Sequence, residues 1–327
     1  MKSLSAVRTA AGMLAVLIGL VGCGGQRDNA GDPGSGGRLT IATGNTTGVY
    51  YILGGGLANV ISKNLPGYKA TAEATKASKE NIERVASGQN DIGFALADTA
   101  ADATSGRNSF TSKQPVKALM RIYDNTTQVI VRADSGITSI AGMKGKSVST
   151  GSPNSGTELI ATRLLAANAL TPGDVSQKKA SLPETVDGMK DGSIQAMFWS
   201  GGLPTAGVKD LVAALGDKVR FLDLTAELPT LQAKYGDAYQ PGTIPASAYG
   251  TKADVSTIVV ANVLVVHTTM SDDLAGRLVR LIFDKKGELE KVHPEARNIT
   301  LERAAKTGEI PLHPGSEKGL KELGAPS

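Results

Sequence analysis

The sequence predicts an α/β fold divided into two lobes. From Arg38 onward, short runs rich in β-branched residues alternate with longer amphipathic helical segments, a pattern typical of α/β proteins with largely parallel sheets. A strand, a glycine-bounded loop and a helix recur in the same order in two parts of the chain, between Gly44 and Gly88 and between Gly151 and Gly192. This echo predicts two similar lobes, although it also arises in α/β proteins that have none.

Each element is predicted from its pattern, in chain order. The strand segments are short, apolar and followed by turn-forming residues; they are residues 39–43, 70–74, 91–97, 116–123, 128–133, 147–150, 196–200 and 256–266. The helical segments carry apolar residues at helical spacing; they are residues 51–64, 79–87, 157–169, 183–191, 207–214 and 272–292. Because ligands bind at the carboxyl ends of strands in open α/β sheets, the loops that follow these strands are the candidate sites.

The N-terminus predicts a lipoprotein signal peptide. Lys2 and Arg8 provide a positive segment, residues 10–21 form an apolar segment too short to span a bilayer, and residues 20–23 read L-V-G-C. We expect residues 1–22 to be removed and Cys23 to be acylated, which anchors the protein to the outer face of the cell membrane. A plain signal peptide with an incidental cysteine is the alternative. The glycine-rich residues 23–37 predict a flexible tether.

The composition excludes several classes of protein. The chain has 35 Lys and Arg residues against 31 Asp and Glu residues, and this balance argues against a nucleic-acid partner, which needs a basic stripe. Cys23 is the only cysteine. Once it carries lipid, the folded part has no disulfide, no thiolate nucleophile and no cysteine metal ligand. We therefore expect neither a cofactor nor a metal site.

The loop at residues 151–158 is the first candidate ligand site. Its S-x-x-E spacing, Ser155 to Glu158, predicts a capping box at a helix start, where free N–H groups and the helix dipole favour a carboxylate or phosphate. The alternative is a serine that caps only its own helix. No Lys-Ser or Lys-Thr pair follows, so the loop is not a P-loop. The predicted ligand-binding residues here are Ser152, Asn154, Ser155, Gly156 and Thr157.

The loop at residues 44–48 is the second candidate ligand site, for the same reasons. Asn45, Thr46 and Thr47 offer hydrogen bonds, and Gly48 allows close approach of a ligand to the backbone. Tyr50 and Tyr51 open the next helix and point about 100° apart, so at most one faces the ligand. We favour Tyr50, and packing beneath the helix is the alternative for either ring.

Other predicted ligand-binding residues lie at the same edge of the sheet. Ser78 is a good N-cap with Asn81 in the first turn. Asp98 ends a strand and could accept an ammonium group or cap the next helix. The only tryptophan, Trp199, lies beside Gly201 at a strand end and is expected to wall a cleft, with burial in the core as the alternative.

These motifs, in this order, resemble the TAXI family of solute-binding receptors, which serve one class of TRAP transporters. The resemblance covers nearly all of the chain after the tether. It is carried by G-N-T-T-G-V-Y-Y-I-L-G-G-G-L-A, T-x-x-S-x-E-N, A-S-G-Q-N-D-I-G-F-A-L-A-D, K-G-K-S-V-S-T-G-S-P-N-S-G-T-E, D-G-S-I-Q-A-M-F-W-S-G-G-L-P and I-P-L-H-P-G-S-E-K-G-L-K-E-L-G.

The resemblance implies a two-lobed fold like that of type II periplasmic binding proteins, with a hinge between the lobes. It implies capture of a glutamate-like carboxylate, delivery to an integral membrane TRAP-type sodium-coupled transporter, and no enzymatic activity. We expect lobe boundaries at 38–125 plus 257–327 and at 126–256, with chain crossings near 124–128 and 255–261. The helix at 272–292 is expected to pack back on the first lobe.

Two departures from the family pattern stand out. Lys76 and Ala77 replace small glycine-like residues, and Gln195 stands where an aspartate is usual. Lys76 could bring a cation to the rim of the cleft or simply be solvated. No motif fixes the distal ligand contact, for which Arg121 or Arg132 is conceivable.

Two rival functions remain at this point. An extracytoplasmic hydrolase lacks support, because neither a G-x-S-x-G elbow nor an H-E-x-x-H helix accompanies His267, His293 and His313. A binding component of an ATP-driven importer or of a sensor fits the same features as a TRAP receptor.

Overall fold

The computed structural model describes residues 36–326. The predicted signal peptide, Cys23 and most of the tether lie outside the described residues. Within the described part of the chain, no helix is both long and apolar enough to cross a membrane.

The described chain forms a mixed α/β structure. Its strands are β1 (Arg38–Ala42), β2 (Lys69–Glu73), β3 (Ile92–Leu96), β4 (Val116–Arg132), β5 (Ser147–Ser149), β6 (Ser176–Lys178), β7 (Ala196–Gly201), β8 (Val219–Phe221), β9 (Tyr239–Ile244) and β10 (Val255–His267). Its helices are α1 (Val49–Asn64), α2 (Ser78–Ala86), α3 (Ala97–Ser105), α4 (Gly156–Ala167), α5 (Leu182–Asp191), α6 (Ala206–Leu215), α7 (Leu228–Tyr235), α8 (Ala246–Tyr249), α9 (Asp272–Asp284), α10 (Lys286–Val292), α11 (Leu301–Ala304) and α12 (Pro314–Glu322).

The strands pair into one curled sheet in the order β2-β1-β3-β10-β4-β7-β5-β6, with β8 beside β4 and β9 beside β10. The outer strands pair in parallel, β1 with β2 and β3, and β5 with β6 and β7. The two long strands β4 and β10 are antiparallel to every partner. The prediction of largely parallel strands is therefore right for the outer parts of the sheet and wrong for its centre.

The long strands change partners along their length. Residues 262–266 of β10 pair with β3, and residues 255–260 pair with β9. Residues 126–132 of β4 pair with β7 or β8, and its preceding part pairs with β10. We call the half of the sheet built on β1–β3 the first lobe and the half built on β5–β7 the second lobe. The lobe boundaries expected from the sequence stay a prediction.

Helices cover both faces of each half of the sheet. In the first lobe, α1, α9, α10 and α12 pack on one face and α2 and α3 on the other. In the second lobe, α4 and α7 cover one face and α5, α6 and α8 the other. This layering leaves the starts of α1, α2 and α4 at the junction between the lobes, where the candidate site lies.

Three predicted elements differ from the structure. Residues 116–123 and 128–133 were expected as two strands, but β4 runs through the polar stretch between them, because Asn125, Thr126 and Thr127 are buried and paired with neighbouring strands. The expected helix at 272–292 packs on the first lobe but breaks at Lys285, whose backbone (φ −110°, ψ 14°) leaves the helical region, so that α9 and α10 are separate.

Several short elements were not predicted from the sequence. These are β6, β8, β9, α3, α7, α8, α11 and α12. Most are too short to show a periodic apolar pattern, and α3 (ADTAADATS) has little apolar surface to mark it.

Candidate functional site

A small cavity of about 30 Å³ lies between the lobes. Its lining comprises Gly44, Asn45, Gly48, Val49, Tyr50, Ala77, Ser78, Leu96, Tyr123, Asn125, Ser152, Ser155, Gly156, Thr157, Trp199, Ser200 and Gly201. The predicted ligand-binding residues brought together here are Asn45, Gly48, Tyr50, Ser78, Ser152, Ser155, Gly156, Thr157, Trp199 and Gly201. The predicted residues outside this lining are Thr46, Thr47, Asn81, Asp98 and Asn154. Ligand contact itself stays a prediction for all of them.

The start of α1 opens onto the cavity. Gly48 is its N-cap in extended conformation, and no side chain caps the helix. The first N–H groups of a helix have no intrahelical partner, so this end offers free donors. Tyr50 is buried and lines the cavity, while the neighbouring Tyr51 is 37% exposed. Tyr50 also packs against Phe94 in the core, with 5.1 Å between ring centres, and its contact with a ligand stays a prediction.

The start of α4 meets the cavity from the second lobe. The Oγ of Ser155 accepts a hydrogen bond of 3.0 Å from the N–H of Glu158. The carboxylate of Glu158 accepts from the N–H of Asn154 at 2.7 Å, not from Ser155. The predicted capping box is therefore half formed, because a left-handed Asn154 (φ 62°) places its own N–H there instead.

Asn154 joins the two lobes through its backbone. Its carbonyl accepts from the N–H groups of Lys79 (3.1 Å) and Glu80 (3.3 Å), in the first turn of α2. This contact consumes donors at the start of α2. The helix ends that stay open to the cavity are therefore those of α1 and α4, one from each lobe.

At α2, the predicted N-cap is displaced by one residue. The N-cap is Ala77 (φ 77°), and Ser78 is the first helical residue, whose Oγ accepts from the N–H of Leu96 at 3.1 Å. Asn81 is fully buried and donates to the carbonyls of Thr43 (2.6 Å) and Phe94 (2.7 Å). Asn81 thus fixes α2 against β1 and β3.

The residues of the loop before α1 contact different parts of the molecule. The Oδ1 of Asn45 accepts from the N–H of Leu182 at 3.2 Å and from Ser152 at 3.4 Å, which links the first lobe to the second. Thr46 is exposed and lines an outer groove of about 350 Å³ that also contains Lys76. The Oγ1 of Thr47 faces Gly207 at the start of α6. Lys76 is exposed and lies in this outer groove, not in the cavity lining.

Trp199 forms a wall of the cavity. It is buried, and its indole N–H donates to the Oγ1 of Thr205 at 3.0 Å. A Cβ on Gly201 would lie 2.4 Å from the indole nitrogen, so only glycine allows the chain to pass there. A Cβ on Gly48 would lie 3.5 Å from the same ring, which places the α1 N-cap directly opposite this wall.

The floor of the cavity, which sequence reasoning missed, comes from the long strands and from β7. The Tyr50 hydroxyl donates to the Oδ1 of Asn262, and the Nδ2 of Asn262 donates to the Oδ1 of Asn125 at 2.7 Å. The Nδ2 of Asn125 then donates to the carbonyl of Ser200 at 3.2 Å. This chain of hydrogen bonds runs from α1 across β10 and β4 to β7. The polar residues around Asn125 were the available signal, but they suggest a turn.

Asp98 lies outside the cavity lining. Its carboxylate binds Arg163 on α4 at 2.9 Å and accepts from the Tyr239 hydroxyl at 2.6 Å. It also accepts from the N–H of Thr99 at 2.6 Å, at the start of α3. These groups border a larger cleft of about 750 Å³, lined in part by Asp102 and Arg163.

The arginines considered for distal contacts are engaged elsewhere. Arg121 pairs with Asp124 at 2.6 Å, and Arg132 pairs with Asp134 at 2.6 Å. Neither lines the cavity.

The histidines serve as local hydrogen-bonding groups. His293 and His313 each accept a backbone N–H two residues ahead, as N-caps of short helical segments. The Nδ1 of His267 contacts the Oγ1 of Thr269 at 2.7 Å. Among the described residues, no cluster of three His, Cys, Asp or Glu side chains could hold a metal ion.

Comparison with solved structures shows which fold this is. The chain resembles the binding protein component of an ABC phosphonate transporter from Pseudomonas aeruginosa, with a TM-score of 0.55, 14% identity and coverage of 81% of this chain and 80% of that chain. It also resembles a Xanthomonas citri protein bound to ATP (TM-score 0.51, 14% identity, coverage 88% and 96%) and an ancestral arginine-binding protein bound to arginine (0.50, 14%, 79% and 97%).

These likenesses confirm the predicted two-lobed, periplasmic-binding-protein-like α/β fold. At the level of sequence, the model of the NMT1-like family matches residues 41–324. This match spans nearly all of the described residues. The chain therefore belongs to the NMT1-like family.

Proposed function

We propose that this protein is a solute-binding receptor that captures a small organic anion or amino acid between its two lobes. The observation that carries this proposal is the convergence of the α1 and α4 N-termini, from opposite lobes, on one buried cavity. Backbone N–H groups and the positive end of a helix dipole favour a negatively charged ligand. A carboxylate held by both ends would contact both lobes at once.

Ligand contacts with both lobes give a mechanism of capture. The lobes already touch through Asn154 and α2 and through Asn45 and Leu182. A ligand that adds contacts to this closed arrangement stabilises it relative to an open one, so that binding shifts a hinge equilibrium. The strands β4 and β10, which continue from one lobe into the other, are the hinge in this proposal.

The resemblance to TAXI receptors supports delivery to a TRAP-type sodium-coupled transporter, with glutamate-like solutes as the first to test. Delivery to an ATP-driven importer is the second candidate, since one structural neighbour is a component of an ABC phosphonate transporter. In either case we propose an extracytoplasmic, non-enzymatic protein anchored through Cys23. A gene for a large multi-span membrane protein beside this one favours TRAP delivery, and a gene for an ATPase favours the importer.

Thermal unfolding of the chain from Gly24 onward, against a panel of amino acids and organic acids, tests solute capture. A ligand at a hundredfold excess over its Kd adds about 2.7 kcal/mol to the free energy of unfolding, which raises the Tm visibly. Gly48→Leu fills the space between the α1 start and Trp199, so we expect it to abolish the shift.

Gly55→Leu is the matched control. Gly55 lies on the same helix, is exposed and has no atom within 4 Å of its would-be Cβ, so the ligand-induced shift should persist. A panel with no shift, or an equal shift in Gly48→Leu, would contradict the proposal.

A further inference from the structure

The cavity lining contains no side chain that carries charge at neutral pH. Its residues include no Asp, Glu, Lys, Arg or His. Burial raises the pKa of Tyr50 and of Tyr123, so both phenols stay neutral. The acidic residue expected to receive an ammonium group, Asp98, already binds Arg163 and Tyr239 outside the lining. Among the described residues that line the cavity, a positively charged group therefore meets no carboxylate, and a second negative charge meets no cationic side chain.

Two hydroxyls in the floor have no protein partner. The Tyr123 hydroxyl and the Ser200 Oγ are buried, and neither has a hydrogen-bond partner among the described residues. Tyr123 is 0% exposed and Ser200 is 6% exposed, and both line the cavity. A hydroxyl buried without a partner is costly, so a pair of them at one cavity points to ligand oxygens that complete their hydrogen bonds.

Resting on the solute-binding function proposed above, we infer that the solute is a compact organic acid with one negative charge and an uncharged, oxygen-bearing remainder. The N–H groups at the starts of α1 and α4 bind the carboxylate, and the hydroxyls of Tyr123 and Ser200 bind the remaining oxygen. Trp199, Leu96 and Val49 cover the apolar part of the solute. The free space between these residues is only about 30 Å³, which favours a small molecule.

This charge pattern separates organic acids from amino acids of the same shape. An ammonium group placed in the cavity loses its water and gains no carboxylate, and burying an unpaired charge is strongly unfavourable. A second carboxylate placed in the cavity likewise loses its water and finds no cationic side chain in the lining. Glutamate carries both an ammonium group and a second carboxylate, so each of these costs disfavours its binding.

Calorimetric titration of the chain from Gly24 onward with matched four-carbon probes tests the inference. We compare 4-hydroxybutanoate with 4-aminobutanoate and succinate, and 2-hydroxybutanoate with 2-aminobutanoate, alongside glutamate. The expected result is binding of at least one hydroxy acid at least about tenfold more tightly than its amino and dicarboxylate counterparts, a tenfold ratio corresponding to about 1.4 kcal/mol.

Tyr123→Phe tests the role of the floor. It removes only a hydroxyl without a protein partner, so folding is unaffected, and we expect the Kd of the preferred hydroxy acid to rise about tenfold. Tyr68→Phe, a change in a ring that packs beside Arg277 and is not part of the cavity lining, should leave the Kd unchanged.

The outcomes distinguish this inference from the function it rests on. If glutamate, another amino acid or a dicarboxylate binds more tightly than every hydroxy acid, or if Tyr123→Phe leaves the Kd unchanged, the charge assignment is wrong and the solute receptor stands. If neither these probes nor the wider panel of organic and amino acids binds, the solute-binding function itself is overturned.

Discussion

At the residue scale, His293 contacts the turn that follows it through Nδ1 and the segment after β7 through Nε2. Its Nδ1 accepts from the N–H of Glu295 at 3.2 Å, and its Nε2 lies 3.2 Å from the carbonyl of Pro204, which follows β7. A neutral imidazole with its proton on Nε2 satisfies both contacts. Burial lowers the pKa of His293 below its ordinary value of 6.5.

We therefore expect His293 to make folding sensitive to acid. Because the folded-state pKa is lowered, the unfolded chain binds more protons below about pH 6.5, and stability is lost as the pH falls through that window. Urea unfolding at pH 5, 6 and 7 should show a shallower pH dependence for His293→Gln than for the unchanged protein. Equal pH dependence in the two would refute this role. His313, whose pKa burial also lowers, is present in both proteins and cancels in the comparison.

How far single residues could be predicted depends on where they lie in the sequence pattern. Gly48 and Ser155 were predicted because loop glycines and S-x-x-E spacing mark helix starts. Tyr123 and Ser200 were not predicted as site residues, because each lies in a largely apolar strand and looks like part of the core. Asn154 looks like a ligand-binding side chain, yet it acts through its carbonyl, and a sequence pattern does not report which backbone atoms are used.

At the scale of elements, α3 and α4 are joined across the lobes by a buried ion-pair cluster. Arg163 on α4 lies between Asp98 (2.9 Å) and Asp102 (2.6 Å) on α3, and the three side chains are at most 8% exposed. The Arg163 guanidinium also stacks 4.0 Å from the ring centre of Tyr235. Burial raises the pKa of Asp102 despite the neighbouring arginine.

Removing the arginine should destabilise the fold strongly. Arg163→Met leaves two buried carboxylates without a cation, and breaking such a cluster costs about 3–5 kcal/mol. The triple variant with Asp98→Asn and Asp102→Asn removes those charges and should recover a large part of the loss. Chemical denaturation of the three proteins measures both effects. A loss below about 1 kcal/mol in Arg163→Met, or no recovery in the triple variant, would contradict this account.

The elements show the same division between what sequence predicts and what it does not. Long periodic segments such as α1 and α4 were predicted within about two residues, which is the usual uncertainty of helix ends. The continuous β4 was not, because its polar middle is buried only once β7 and β10 lie on either side. The break at Lys285 is likewise absent from the apolar pattern, which continues from α9 into α10.

At the scale of the whole molecule, the structure is two layered α/β halves that share β4 and β10. The repeated strand–loop–helix order predicted the two halves, and the fold comparison confirms them. The antiparallel arrangement at the centre was not predicted, because strand direction depends on which lobe the chain enters next. This arrangement brings helix starts from both halves to one cavity, which is the basis of the proposed capture by closure.

Ligand-dependent cross-linking between the lobes tests that closure most directly. Lys79→Cys and Asn154→Cys place two thiols where the backbones of opposite lobes are in hydrogen-bond contact, at 3.1 Å between the Lys79 nitrogen and the Asn154 oxygen. The chain from Gly24 onward has no other cysteine. If a solute bridges the lobes, a saturating concentration should speed disulfide formation, and the Gly48→Leu background should remove this acceleration. A solute that binds, as shown by its thermal shift, yet leaves the cross-linking rate unchanged would contradict capture between the lobes.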